Sequence, residues 1–101
     1  MTPKDKKRLR GIAHHLNPVV TVGDSGLSDA VVSETERALG DHELIKARLN
    51  IFDRDERKST GQTLAERTGA TVVQIIGKVW VLYRSNPDAD PKLSNLARFA
   101  D

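Results

Sequence analysis

The chain has 101 residues, of which 38% are hydrophobic, only 4% are aromatic and none is cysteine. That suits one domain with a single aliphatic core, excludes disulfides, thiolate chemistry and Cys-ligated zinc, and fits a reducing cytoplasm. The net charge of +2 hides a polarity: Lys4, Lys6, Lys7, Arg8 and Arg10 against Asp5 give the first 22 residues +4, leaving 11 basic and 13 acidic side chains, −2, for the remainder. A chain charged this way can turn one basic face to a polyanion while staying near neutral overall. No apolar run approaches the ~20 residues of a membrane span, and no apolar stretch follows the basic start as a signal peptide requires.

Thr2-Pro3-Lys4-Asp5 reads as a helix start, with Thr2 as N-cap, Pro3 in the first helical position and an acid in the first turn. Leu9, Ile12, Ala13 and Leu16 then recur on one apolar face. Lys7, Arg10 and His14 form a separate stripe, so the basic run is expected on a packed helix. That helix should stop near His15 or Leu16, because Asn17 precedes Pro18. Val19, Val20 and Val22 are β-branched and predict a buried strand. It breaks into Gly23-Asp24-Ser25-Gly26, two glycines three apart that free the backbone to take φ > 0 and to approach whatever faces the turn. Ser28 caps a second helix over residues 28–39, Asp29 puts negative charge in its first turn, and Gly40 is placed to end it. Backbone N–H groups at such a strand–turn–helix junction favour an anion.

A second strand follows over residues 42–49, where Ile45, Ala47 and Leu49 alternate with Lys46 and Arg48 to give one apolar and one basic sheet face. Asp53 opens a third helix with Glu56 at capping-box spacing. Leu64, Ala65 and Thr68 must supply most of its buried side, Gly61 inside it costs roughly 1 kcal/mol against Ala, and Gly69 ends it. Residues 72–76 and 79–83 then predict a hairpin across Gly77-Lys78, a pair suited to a type II′ turn. Each strand–helix–strand unit should give parallel neighbours, and the hairpin adds an antiparallel pair. The expected fold is α/β: a helix followed by βαβαββ, a four-stranded mixed sheet packed with helices in two layers or partly three. Residues 1–84 form the expected single domain. Residues 85–101 form a turn-rich exit, with Leu93, Leu96 and Phe99 docking its last segment as a short helix.

These residues resemble the CRM domain (chloroplast RNA splicing and ribosome maturation) in its bacterial single-domain, YhbY-like form. The matching segments run from Lys4 to about Leu96: Leu9-Arg10 with Ala13-His14, Leu16-x-Pro18-Val19-Val20, Gly23-x-x-Gly26-Leu27, Ala38-Leu39 and His42-Glu43-Leu44-Ile45-Lys46. They continue with Arg54-x-Glu56-Arg57, Val73-Gln74-x-Ile76-Gly77-Lys78 and Leu82-Tyr83-Arg84. The resemblance implies a fold similar to the C-terminal domain of translation initiation factor three. It also implies an RNA-binding module associated with ribosomal RNA of large-subunit precursors in ribosome assembly. The chain is expected to work in the cytoplasm as a monomer, without cofactor or membrane. The family's Gly-x-x-Gly loop is compared with that of KH domains, which clamps nucleotide backbone; here it is Gly23, Asp24, Ser25 and Gly26. Asp24 departs from the basic or neutral residue common there. Its carboxylate would repel phosphate, so either it points away or the loop binds more weakly.

RNA phosphates take most of their affinity from Lys and Arg, and a glycine turn lets backbone N–H groups reach them. The expected RNA-contacting set is therefore Gly23, Asp24, Ser25, Gly26, Lys7, Arg10, His14 and Lys46, followed by Arg48, Arg54, Arg57, Lys58, Lys78 and Arg84. Each cation has a plainer reading. Lys46 and Arg48 could be ordinary solvated surface, and Arg54, Arg57 and Lys58 could pair with Asp53, Asp55 and Glu56. Trp80 and Tyr83 could stack on bases, although aromatics in a terminal hairpin are more often core. No catalytic or metal site is expected: His14, His15 and His42 lack zinc spacing, no nucleophile is paired with a base, and no Walker-type loop exists. The alternative from another class is a protein-interaction module of the ribosome-assembly machinery, offering Glu34, Glu36 and Asp41 to a basic partner.

Overall fold

The computed structural model describes residues 1–99; the last two residues of the expected exit segment lie outside the described residues. The elements are α1 (Pro3–Ala13), β1 (Pro18–Val22), α2 (Asp29–His42), β2 (Leu44–Leu49), α3 (Arg54–Thr68), β3 (Thr71–Ile76), β4 (Val79–Tyr83) and α4 (Asn95–Arg98). The helix–βαβαββ order and the four-stranded mixed sheet are those expected.

The sheet order is β1-β2-β4-β3. β1 and β2 run parallel, while β4 pairs antiparallel with β2 on one side and with β3 on the other. The expectation that each strand–helix–strand unit gives parallel neighbours therefore holds only for β1–α2–β2. Across α3, the hairpin folds β4 back into the gap between β2 and β3. The physical reason is burial. Trp80, Val81 and Leu82 are all buried, a run apolar on both faces that suits a central strand, whereas β3 exposes Ile75 and Ile76 as an edge can.

Helices cover both faces. Val20, Val22, Leu39, Ile45, Ala47, Leu49, Leu64, Ala65, Trp80 and Leu82 form the main core with α2 and α3. On the other face Leu9, Ile12 and Ala13 of α1 pack on Leu44, Val73 and Val81, with Leu16, Leu96 and Phe99 at the margin. Leu44 thus lies on the same face as Lys46 and Arg48: that face is apolar where α1 covers it and basic beyond. Val19 is not the buried residue its β-branching suggests. The pairing of β1 slips between Pro18 and Val20 and leaves Val19 48% exposed.

α2 runs past Gly40 to His42 and ends at Glu43, not at the glycine, so the second strand begins at Leu44 instead of residue 42. Glu43 takes φ +61, a left-handed conformation that a non-glycine residue adopts only when its surroundings impose it. Here they do. Its carboxylate accepts from the Asn86 backbone N–H at 2.9 Å and from the Ser94 hydroxyl at 2.9 Å, and its carbonyl accepts from Arg84 N–H at 2.9 Å. Asn95 Nδ2 donates to the Leu44 carbonyl at 2.7 Å. The exit segment is therefore held by buried Ser94 and Asn95, with Leu96 and Phe99 packed alongside; Leu93, expected to dock, is exposed.

At the start of α1, Thr2 and Asp5 form a reciprocal capping box. Hydrogen bonds from Thr2, side chain first and then backbone, hold the Asp5 carboxyl below its ordinary value. A depressed carboxyl adds stability above its unfolded pKa and loses it as pH falls through the folded value. The first turn of α1 should therefore stay intact at neutral pH and fray only on acidification below 3.8, read from the Asp5 amide shift in an NMR titration.

Gly61 in α3 is explained by its neighbour. A Cβ there would lie 2.5–2.7 Å from three indole carbons of Trp80, which is only 2% exposed and has no room to yield. Gly61→Ala should cost about 1–3 kcal/mol in chemical denaturation through overpacking, despite alanine's better helix propensity. Gly11→Ala in α1, where nothing lies within 4 Å, should be neutral or gain up to about 1 kcal/mol in the same measurement.

Candidate nucleic-acid interface

Because β1 and β2 are parallel and β4 is inserted antiparallel, three connections meet at one end of the sheet: Gly23–Gly26 after β1, 50–53 after β2, and Gly77-Lys78 between β3 and β4. They are joined to the strand ends by hydrogen bonds. Asn50 N–H donates to the Val22 carbonyl at 2.8 Å, and Leu49 N–H donates to the Lys78 carbonyl at 2.7 Å.

The turn is closed by Gly26 N–H donating to the Gly23 carbonyl at 3.0 Å, and Asp24 and Ser25 are exposed to solvent. The two glycines differ from the expectation that both free the backbone for φ > 0. Gly26 takes φ +82; Gly23 is not left-handed, and a Cβ on it would meet nothing within 4 Å. Only Gly26 is demanded by the turn itself, while Gly23 leaves bare backbone where a side chain would fit. Directly beyond, Ser28 Oγ accepts from Val31 N–H at 3.1 Å and caps α2. The Asp24 carboxylate lies 3.4 Å from the Phe52 N–H that donates to it, so it is turned toward the neighbouring connection.

The basic side chains fall into two groups that meet at this end. On the α1 face, Arg10 and His14 line one cleft of about 270 Å³ with Lys46, Gln74 and Ile76. Arg48 continues the line, paired across the sheet with Thr21, two residues before the turn. Lys7 is exposed farther along α1. On the α3 face, Arg54, Arg57 and Lys58 line a larger cleft with Ile75 and Gly77. Lys78 is exposed on the hairpin between the two groups. Asp53 caps α3 by accepting from Glu56 N–H at 2.8 Å, so its carboxylate is engaged by backbone.

The CRS1/YhbY (CRM) domain profile matches residues 1–84. This chain belongs to that family. A Pseudomonas aeruginosa protein named a probable RNA-binding protein is 44% identical over 100 residues, covering 99% of this chain and 96% of its own. A Haemophilus influenzae protein named RNA-binding protein is 42% identical over 93 residues, covering 92% and 94%. Among solved structures, a Staphylococcus aureus protein described as a candidate RNA-binding protein superimposes with a TM-score of 0.76 at 31% identity, covering 89% of this chain and 94% of that one.

Not every cation of this CRM domain sits at the loop end. Arg84 follows β4 at the opposite end, where its guanidinium donates to the Glu36 carboxylate at 2.6 Å, to the Thr68 carbonyl at 2.8 Å and to the Glu36 carbonyl at 3.1 Å. It ties α2 to the end of α3. Arg57 has a similar second task, donating to the Ile51 carbonyl at 2.9 Å. Trp80 is core, as an aromatic in a terminal hairpin usually is, and Tyr83 is half-buried beside α1. Among the described residues no cluster of three or more His, Asp or Glu side chains could hold a metal.

Sequence reasoning passed over Phe52, which is 91% exposed beside the turn. The available signal was its place next to Ile51: one of two adjacent apolar residues in a strand–helix connection must face out, and Ile51 is fully buried.

Arg84→Met should lower stability by about 1.5–3 kcal/mol, because it leaves the Thr68 carbonyl and the Glu36 carboxylate without their donor. Lys46→Met, half-buried at the edge of the cleft, should stay within about 0.5 kcal/mol of wild type in the same denaturant titration.

Proposed function

We propose that this chain binds RNA, and that its target is ribosomal RNA of large-subunit precursors during ribosome assembly. The observation that carries this reading is the meeting, at one end of the sheet, of a bare-backbone glycine turn and two rows of cations. Phosphates would lie on the N–H groups around Gly23–Gly26 and along Arg48, Lys46, His14, Arg10 and Lys7. Arg54, Arg57, Lys58 and Lys78 would hold the strand on the other side. Asp24 is compatible with this because its carboxylate is engaged by Phe52 N–H. Arg84, occupied at the far end, is left out. The names of the related proteins favour RNA as the partner class. The binding unit is residues 1–84, with the following segment docked as support, acting as a cytoplasmic monomer without a catalytic role. The protein-interaction alternative is weaker, since Glu36, one of its three acids, is already paired with Arg84.

The test is binding to large-subunit ribosomal RNA across a salt series. Affinity should fall steeply with salt. Lys46→Gln/Arg48→Gln should reduce the logarithmic slope by roughly 1.4–1.8, at about 0.7–0.9 for each phosphate that is no longer neutralised. Gly23→Asp, introduced where space is open, should keep the wild-type Tm and lose at least about tenfold in affinity, ~1.4 kcal/mol. Unchanged affinity in that folded variant would remove the turn from the site. Absence of binding by the wild-type chain would favour the protein-partner alternative.

A further inference from the structure

Phe52 sits in the short connection between β2 and α3 with its ring 91% exposed, more than any other large hydrophobic side chain among the described residues. The backbone beneath it is fixed on both sides. Phe52 N–H donates to the Asp24 carboxylate at 3.4 Å, and the Arg57 guanidinium reaches the Phe52 carbonyl at 3.5 Å and the Ile51 carbonyl at 2.9 Å. Ile51 is fully buried, and Asn50 N–H is bonded to the end of β1. The ring is thus presented to water from an anchored loop, which nothing in the core requires.

Its surroundings say what it is presented to. Through Asp24 it adjoins the glycine turn, and through Arg57 it adjoins the cleft lined by Arg54 and Lys58. An aromatic face between a bare-backbone turn and a group of cations matches an unpaired nucleotide, whose base offers a π face while its flanking phosphates need N–H groups and positive charge. A duplex keeps its base faces stacked inside and cannot use such a ring.

We propose that Phe52 is a stacking platform for an unpaired nucleobase, which makes single-stranded segments the RNA class taken at this end of the sheet. Asp24, the unexpected acid of the turn, is then a positioning residue: it holds the Phe52 backbone. This inference rests on the RNA-binding reading and narrows it.

The test compares an unstructured RNA strand of about 12 nucleotides, within the usual site size, with an RNA duplex of similar length, by fluorescence anisotropy at fixed salt. Phe52→Ala and Phe52→Leu should each lose roughly five- to a hundredfold in affinity for the single strand, the range of one base–aromatic stack. Phe52→Trp should retain it, and all three should keep the wild-type Tm, salt slope and duplex affinity. Wild-type affinity in Phe52→Ala, with steep salt dependence intact, would overturn the platform and leave the RNA-binding reading standing. Retention by Leu but not by Ala would replace stacking with a generic apolar contact, as a protein partner would use, and an equal loss on the duplex would make the effect structural; both outcomes overturn the proposal. A wild-type chain that binds neither RNA would overturn both readings together.

Discussion

The contact on which the loop end depends is the one between the Trp80 indole and the bare backbone of Gly61. α3 has a thin apolar side, little more than Leu64, Ala65 and Thr68, and several charged residues in its first half. What brings its middle down onto the sheet is a large ring on the central strand meeting a position without a side chain. Trp80 is flanked in the sheet by Ala47 on one side and Ile75 on the other. A small neighbour on β2 leaves room for the indole, and it fills that room. Seating α3 there sets where its N-terminal turn begins, and with it the positions of Arg54, Arg57 and the connection that carries Phe52.

The second constraint is that the sheet has more face than its helices cover. α1 spans eleven residues and its apolar stripe only part of that, so it shields Leu44, Val73 and Val81 and leaves the loop-side half of the same face to solvent. The uncovered part of this face carries Arg48, Thr21 and half-buried Lys46, next to exposed Ile76 at the sheet edge. Charge on this face follows from incomplete coverage, and its direction, toward the glycine turn, follows from the parallel pairing of β1 with β2. Two acids of the loop end are meanwhile engaged by backbone, Asp53 by the α3 N-terminus and Asp24 by Phe52 N–H, while Asp55 lines the cleft among the α3 cations.

Away from the loops, the apolar packing of Leu44, Leu96 and Phe99 is joined by a set of polar contacts. Glu43 is held in a left-handed conformation that its own side chain helps to sustain, since the carboxylate fastens Asn86 and Ser94 while Asn95 reaches the Leu44 carbonyl. Arg84 binds the ends of α2 and α3 together at the same pole. The two ends of the sheet thus differ in kind. At one pole Arg84, Glu36 and Glu43 are bonded within the fold; at the other several cations face solvent.

Local patterns in the sequence determined most of the elements. Apolar spacing in α1, the capping residues Thr2, Ser28 and Asp53, the Gly69 stop and the Gly77 turn are short-range effects, settled by a residue and its neighbours within one helical turn or one hairpin. The glycine turn and the candidate cations were also legible, because residue type alone marks them. The sequence did not show which cations share a surface. Arg84 and Lys78 look alike as basic residues flanking one strand, yet Arg84 is taken up by Glu36 and Thr68 where α2 and α3 end, while Lys78 stays exposed on the hairpin. The end of α2 was missed for the same reason: Gly40 is a good local stop, but contacts to Asn86 and Ser94, more than forty residues away, stabilise Glu43 as the cap. The exposure of Phe52 and the need for glycine at position 61 likewise depend on what lies across the fold. Short-range physics is written along the chain, whereas long-range packing exists only once distant segments meet, and that meeting decided where the charges and the exposed ring stand.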